Sequence, residues 1–317
     1  MHRANPSDAQ ISISHLDFTD TESISVATVA SELVQGTPKC GFIYIRISDA
    51  HASIIEAVRS AQRGFFQQSL ADKNQIAIDK NNRGYLAQGM AQMHGAVRAD
   101  QKEVFFWGRE ASEDDPDVAA GLPLCGPNQW PNISNFRNAL EDYSVMVKQL
   151  GDKLLQIIAV ALGAPADFFK PYYEREMLRG QLLCYPPTDS HPDQFGVAPH
   201  SDFGCITLLL QETAGLEVLF PDGQWVAAPP LENTLIINIG DLLERWSNDR
   251  LPSTKHRVRN ISDQERYSIA MFYDPNPGAV VDPHHLSPEQ VSKYSPVTAA
   301  EYILSRNKDA FSHYSTD

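Results

Sequence analysis

The chain has 317 residues, 42% of them hydrophobic and 21% charged, and carries 40 Asp plus Glu against 26 Lys plus Arg, a formal net charge of −14. Those proportions exclude a disordered polymer, a collagen and a coiled-coil rod, and the length allows a sizeable core. An acidic balance repels phosphate backbones and anionic lipid, so the expected partner is a small-molecule substrate, with no nucleic acid and no membrane. The longest apolar run, Leu154 to Ala164, is interrupted by Gln156 and Gly163 and is too short to span a bilayer. The first 18 residues mix polar and charged types and lack the apolar core of a signal peptide, so a cytoplasmic protein is expected. Cys40, Cys125, Cys184 and Cys205 are far apart, form no CxxC, and read as free thiols in a reducing compartment.

In chain order, Cys40 to Ile47 is rich in β-branched and aromatic residues and predicts a strand. Ala52 to Leu70 places Ile54, Ile55, Val58, Ala61, Phe65 and Phe66 at helical spacing. Asn81 to Asp100 is polar and contains glycine, which predicts an irregular loop. The stretch Glu110 to Asn135 is broken by prolines and glycines, and its acidic cluster of Glu113, Asp114, Asp115 and Asp117 reads as solvated. From Phe136 to Leu162 an apolar face recurs with a period near 3.6, and Gly163 follows as a stop. After Arg179, short β-type runs alternate with turns: Gln181–Tyr185, Cys205–Gln211, Leu216–Phe220, Trp225–Ala227, Leu235–Ile239 and Tyr267–Tyr273. Such spacing predicts an antiparallel sandwich or barrel, with a helix near Val297 to Arg306 covering it.

The chemistry-bearing pattern is Pro199-His200-Ser201-Asp202 with a later Lys255-His256-Arg257. Residues i and i+2 of an extended chain point the same way, so His200 and Asp202 converge, and His256 completes the set from a neighbouring strand. Two imidazoles and one carboxylate on one face of a metal form the facial triad of non-haem iron(II) oxygenases. Ten positions after His256, Arg266-Tyr267-Ser268 opens a strand whose alternation puts Arg266, Ser268, Ala270 and Phe272 on one face. Arg266 and Ser268 together suit a carboxylate, the guanidinium as a planar two-pronged donor and the hydroxyl as a third. Phe272 reads as pocket lining or as core. Arg83 and Tyr85, in the polar N-terminal loop, read as solvated or as reaching the mouth of the site. His94, His191 and the adjacent His284 and His285 lack partners at ligand spacing. Asp241 reads as a turn residue.

The HSD, STKHRV and RYS segments together resemble the 2-oxoglutarate and iron(II)-dependent oxygenase superfamily, in its isopenicillin N synthase-like branch. Gly41-Phe42-Ile43-Tyr44, Lys102-Glu103-Val104-Phe105, Gly126-Pro127-Asn128-Gln129-Trp130-Pro131, Tyr185-Pro186-Pro187, Asn238-Ile239-Gly240-Asp241 and Arg245-Trp246-Ser247-Asn248-Asp249 follow in the family's order over about residues 10 to 280. The resemblance implies a mainly β, mixed fold: a double-stranded β-helix (jelly roll) with N-terminal helices packed outside. It implies iron(II) on His200, Asp202 and His256, 2-oxoglutarate on Arg266 and Ser268, Tyr185 beside the co-substrate or substrate, and dioxygen as the oxidant. The implied reaction couples oxidative decarboxylation of 2-oxoglutarate to hydroxylation, desaturation or cyclisation of a small molecule, with no separate general base. The sequence departs from plant-type members at Leu183, where they carry Asn, so the pocket near the metal is expected to be less polar. Two alternatives stay open: an oxidase of the isopenicillin N synthase type that uses no keto acid, and a non-catalytic binding or sensing protein on the same scaffold. The expected organisation is an N-terminal mixed region (1–135), a long helix and connection (136–175), the jelly-roll core (176–280) and a C-terminal cover (281–317).

Overall fold

The computed structural model describes residues 13–20, 25–36, 40–93, 96–187, 191, 193–260 and 262–310. Its strands are β1 (Ser14–Phe18), β2 (Phe42–Ile47), β3 (Gly84–Leu86), β4 (Glu103–Gly108), β5 (Met177–Tyr185), β6 (Val197–His200), β7 (Ile206–Gln211), β8 (Leu216–Leu219), β9 (Trp225–Ala227), β10 (Thr234–Ile239), β11 (His256–Val258), β12 (Arg266–Asp274), β13 (Val280–Val281) and β14 (Val297–Thr298). The α-helices are α1 (Val26–Gly36), α2 (Ala52–Phe66), α3 (Leu70–Asn74), α4 (Pro116–Ala119), α5 (Phe136–Ala161), α6 (Asp241–Trp246), α7 (Pro283–Leu286) and α8 (Ala299–Ala310).

Among the described residues, one sheet runs β1-β2-β10-β7-β12-β5-β4-β3 and a second runs β6-β11-β8-β9. Apart from the β1–β2 pair, neighbouring strands of both sheets are antiparallel. Together they make the jelly roll. The large sheet is buried on both faces. One face packs on α1, α2 and α5 through residues such as Phe65, Phe105, Leu140, Leu154, Leu182, Leu208 and Met271. The other faces the small sheet across Phe42, Val104, Phe106, Leu183 and Ile236 on one side and Val197, Leu216, Val218 and Val258 on the other. This second layer holds the site.

Helix α5 is held mainly by tertiary burial: thirteen of its residues are buried, Leu140, Leu150, Leu154 and Ile158 among them. Each such side chain is stabilised by about 1.5–3 kcal/mol on leaving water. A single polar side chain breaks the apolar face of α2. Gln62 is 1% exposed. Its amide donates to the carbonyls of Leu183 (3.0 Å) and Ser268 (2.8 Å), which lie opposite each other on β5 and β12. The helix is thereby tied to the two strands that carry Ser268 and Tyr185.

Several elements differ from the expectations. The supposed loop at 81–100 contains β3, which pairs with β4 because Tyr85 and Leu86 bury their side chains. Strand β5 begins four residues earlier than its apolar run suggested, since all nine of its residues pair with β12. Strands β1, β6 and β11 are too short or too polar to stand out. Pro199 is tolerated in β6 because that strand lies at a sheet edge. The acidic cluster is only partly solvated. Asp115 caps α4, and Asp117, 2% exposed, is paired with Arg109 and Arg175. All four cysteines are free and buried. No described helix is long and apolar enough to cross a membrane.

Replacing Gln62 by Leu is expected to lower stability by roughly 1–3 kcal/mol, because two buried carbonyls lose a donor. Urea unfolding, compared at constant slope, checks this; an unchanged midpoint would show that the bridge is dispensable.

Candidate active site

His200 ends β6 and His256 begins β11, and the two residues are directly paired across the antiparallel ladder. Their ring centroids are 4.3 Å apart. Asp202 follows two residues after His200, and its Oδ1 lies 3.8 Å from His200 Nε2 and 3.7 Å from His256 Nε2. One ligand atom from each of the three residues lies within 4.8 Å of the others.

The atoms behind these groups fix what faces the centre. His200 Nδ1 lies 2.9 Å from the Ala198 carbonyl and His256 Nδ1 lies 3.1 Å from that of Thr254. A carbonyl only accepts, so each Nδ1 carries the proton and each Nε2 presents a lone pair to the centre. Asp202 Oδ2 accepts from Thr207 Oγ1 (2.6 Å) and Asn238 Nδ2 (2.7 Å), which leaves Oδ1 to face the imidazoles. Burial, with His256 beside it, pushes the His200 imidazolium down to about 3. Burial alone would raise Asp202, but the two imidazoles and the Thr207 and Asn238 bonds outweigh it and hold its carboxyl below the usual range. Two imidazole nitrogens and one anionic oxygen, with Asp202 and His256 buried and His200 half-buried, suit a divalent iron.

Asp241 is more than a turn residue. Its N–H donates to the Asp202 carbonyl (2.8 Å), and its carboxylate accepts from Ser253 Oγ (2.7 Å), just before His256. It braces both ligand-bearing segments.

The three residues open into a cavity enclosing about 1060 Å³ of space, its mouth included. Arg266, Ser268, Ala270 and Phe272 all line it, as the alternation of β12 requires. Arg266 is 1% exposed and lies within 4 Å of no carboxylate among the described residues. Its Nη1 donates to Ser268 Oγ (3.3 Å), Nη2 to Gln211 Oε1 (3.1 Å) and Nε to the Ala214 carbonyl (3.1 Å). The Tyr185 ring, opposite Arg266 in register, lies 4.9 Å beneath its guanidinium. Leu183 and Phe272 line the same space, and Arg179 sits 5.2 Å over the Phe272 ring.

The two N-terminal candidates separate. Arg83 is not solvated: it is 2% exposed and lines the cavity. Tyr85 is buried but faces the helices, packing on Phe65 and donating to Glu103 (2.8 Å), and it is absent from the cavity wall. Adjacent strand residues point to opposite faces, so a residue on the Tyr85 side of β3 cannot reach the metal layer. His191, His284 and His285 are exposed, and His285 stands 3.4 Å from the Tyr172 hydroxyl. His94 lies outside the described residues. Thr207, Asn238, Arg179 and Lys102 were missed as site residues. The first two had a signal, a polar residue inside an apolar strand run.

Comparison with known proteins agrees with this geometry. A family model for the 2OG-Fe(II) oxygenase superfamily matches residues 178–275, and one for the non-haem dioxygenase in morphine synthesis N-terminal region matches residues 11–133. The 2-oxoglutarate-Fe(II) type oxidoreductase hxnY of Emericella nidulans is 33% identical over 309 residues, covering 93% of this chain and 88% of its own. The 2-oxoglutarate-dependent dioxygenase thnC of Trichoderma harzianum is 34% identical over 286 residues, covering 80% and 87%. Among solved structures, a full-length Neurospora crassa protein in complex with alpha-KG and thymine superposes with a TM-score of 0.80 at 29% identity, covering 93% of this chain and 96% of that one. The chain belongs to the 2-oxoglutarate/iron(II)-dependent oxygenase superfamily. It is a dioxygenase that takes iron(II), 2-oxoglutarate and dioxygen.

Thr207→Val keeps shape and removes the hydroxyl on Asp202. It is expected to weaken binding of iron(II), or of cobalt(II) as a redox-stable probe, by roughly 10–100-fold. Anaerobic calorimetric titration reads the change, and an unaltered affinity would show that Asn238 alone fixes the carboxylate.

Proposed function

We propose that His200, Asp202 and His256 hold the iron, and that Arg266 with Ser268 grips the distal carboxylate of 2-oxoglutarate while a small organic substrate is oxidised beside the metal. The observation that carries the second half is Arg266 itself. A guanidinium 1% exposed, with no described carboxylate in ion-pair reach, is costly to bury unless an anion joins it. Burial lowers its pKa in accord with that cost. Ser268 shares its face and supplies a further donor.

The bound iron supplies dioxygen activation, driven by decarboxylation of the keto acid. This chain's residues do the rest. The Nδ1-to-carbonyl bonds hold both imidazoles in one tautomer. Thr207 and Asn238 keep Asp202 turned inward. Phe42, Leu183, Val197, Leu216 and Val258 wall the site with apolar surface and exclude water. No proton-transfer residue is assigned. Leu183 presents no hydrogen-bonding group, so it shapes the pocket by volume alone.

The motif order along the chain favours the isopenicillin N synthase-like branch. Four buried free thiols and an acidic balance favour a cytoplasmic protein acting on a small molecule rather than on nucleic acid or membrane. In this reading residues 1–135, 136–175, 176–280 and 281–317 serve as N-terminal region, long helix with its connection, jelly-roll core and cover.

Anaerobic titration of the iron(II) form with 2-oxoglutarate is expected to raise a weak visible metal-to-ligand band. Arg266→Leu should weaken that titration at least about tenfold and Ser268→Ala about 3–10-fold, since each bond to a charged partner contributes about 1.5–3 kcal/mol and part is recovered by solvent. A band of unchanged midpoint in Arg266→Leu would refute the clamp. Succinate formed in step with oxidised product is expected; product without succinate would favour the keto-acid-independent oxidase instead.

A further inference from the structure

Four cationic side chains line the cavity, Arg83, Lys102, Arg179 and Arg266, against the single carboxylate of Asp202. Lys102 has its own counterion, Asp100, at 3.2 Å, and Arg179 has Asp274 at 2.6 Å. On the reading above, the two positive charges of iron(II) cancel the two negative charges of 2-oxoglutarate, and Asp202 cancels Arg266. Arg83 is left over. It is 2% exposed and makes no ion pair among the described residues.

Its hydrogen bonding is also incomplete. Nη1 donates to the carbonyls of Asn81 (2.9 Å) and Asn82 (3.2 Å), and Nη2 donates to that of Leu124 (3.2 Å). Five N–H bonds are present in a guanidinium and three are used. Nε–H has no partner among the described residues, and neither has the Nε–H of Arg179. Gly108 lies opposite Arg179 in the β4–β5 ladder. A Cβ on Gly108 would fall 2.6 Å from Arg83 Nη2 and 2.9 Å from its Cζ, so only glycine lets the Arg83 guanidinium lie there. Burial lowers Arg83 to about 10; the Asp79 charge opposes that shift and the Arg179 charge adds to it.

We propose that Arg83 and Arg179 form an anion subsite for the substrate, and that this substrate is a carboxylic acid whose remainder is apolar or aromatic. A carboxylate suits the planar donor edges of two guanidinium groups. The apolar remainder is set by Met93, Phe106, Leu183 and Phe272, which line the same cavity. This inference rests on the iron and 2-oxoglutarate reading, and the test separates the two.

The protein is loaded anaerobically with iron(II) and 2-oxoglutarate, and formation of the visible band is recorded first. It is then titrated calorimetrically with benzoate, phenylacetate, cyclohexanecarboxylate and hexanoate, and with the primary amide of each. At least one acid is expected to bind about tenfold or more tightly than its amide, without displacing 2-oxoglutarate. Arg179→Met and Arg83→Lys should each shrink that preference while leaving the 2-oxoglutarate midpoint unchanged. Two variants are used because Arg83 also holds three carbonyls and Arg179 a buried carboxylate, so either replacement alone can unfold the chain. The wild-type comparison decides by itself if both do. If the band forms but no acid binds up to the millimolar range, or acid and amide bind alike, or the acid only competes with 2-oxoglutarate, the subsite is refuted while the iron and keto-acid reading stands. A missing band refutes that underlying reading.

Discussion

The structure depends on one cross-strand pair. His256 of β11 sits directly opposite His200 of β6, and the side chains of directly opposed residues lie on the same face of a sheet. A slip of one residue would send one imidazole to the other face. The register is held by hydrophobic residues on either side, Val197 opposite Val258 and Val218 opposite His256 from β8. The bulge between His256 and Val258 lies in the same pairing. Backbone carbonyls two residues before each histidine then fix the tautomers. The inward-facing imidazole nitrogens are thus set by backbone geometry, and Thr207 and Asn238 need only fix the one carboxylate.

A buried site of this kind is defined as much by charge as by position. Removing ions from water is costly, and the interior tolerates them only in balanced sets. Around the cavity the protein balances most of its own charges: Lys102 against Asp100, Arg179 against Asp274, and His200 kept uncharged by burial. Arg266 and Arg83 are the exceptions. Both are large, buried and carry hydrogen bonds to neutral acceptors only. Neutral acceptors orient a guanidinium without cancelling its charge, so these two positions carry an electrostatic demand that an anion meets.

Much of this was legible in the sequence where local pattern and chemistry coincide. The HSD spacing, the Arg-x-Ser on an alternating strand and the 3.6-residue period of α5 each follow from a short-range rule. The remainder came from pairings distant in sequence. Arg83 read as a solvated residue because its neighbours Asn81 and Asn82 are polar, yet their carbonyls hold its side chain inside. Strand β3 was hidden because three residues make too short a run to show a period. Asp117 looked like one more surface acid, and its partner Arg175 is 58 residues away. Gln62 and Asn238 are polar residues in apolar runs, and which groups they satisfy is not readable from their sequence neighbours.

The origin of the two halves of the cavity separates conserving the reaction from choosing the substrate. The proposed metal ligands, the proposed carboxylate clamp and the polar residues behind them all come from β6 onward: His200, Asp202, Thr207, Gln211, Asn238, His256, Arg266 and Ser268. The wall facing them draws on the N-terminal part, with Arg83 ahead of β3, Met93 in the following segment, and Lys102, Phe106 and Trp107 at or beside β4. Strands β3 and β4 extend the large sheet beyond β5, so they sit on the same rigid support as the clamp without contributing to it. A replacement at Phe106 or Met93 therefore changes the shape offered to a substrate while leaving Arg266, Ser268 and the three ligands with their own hydrogen bonds intact. Gln62, which bonds to β5 and β12 together, is the residue that ties the helices to the strand carrying Arg266 and Ser268.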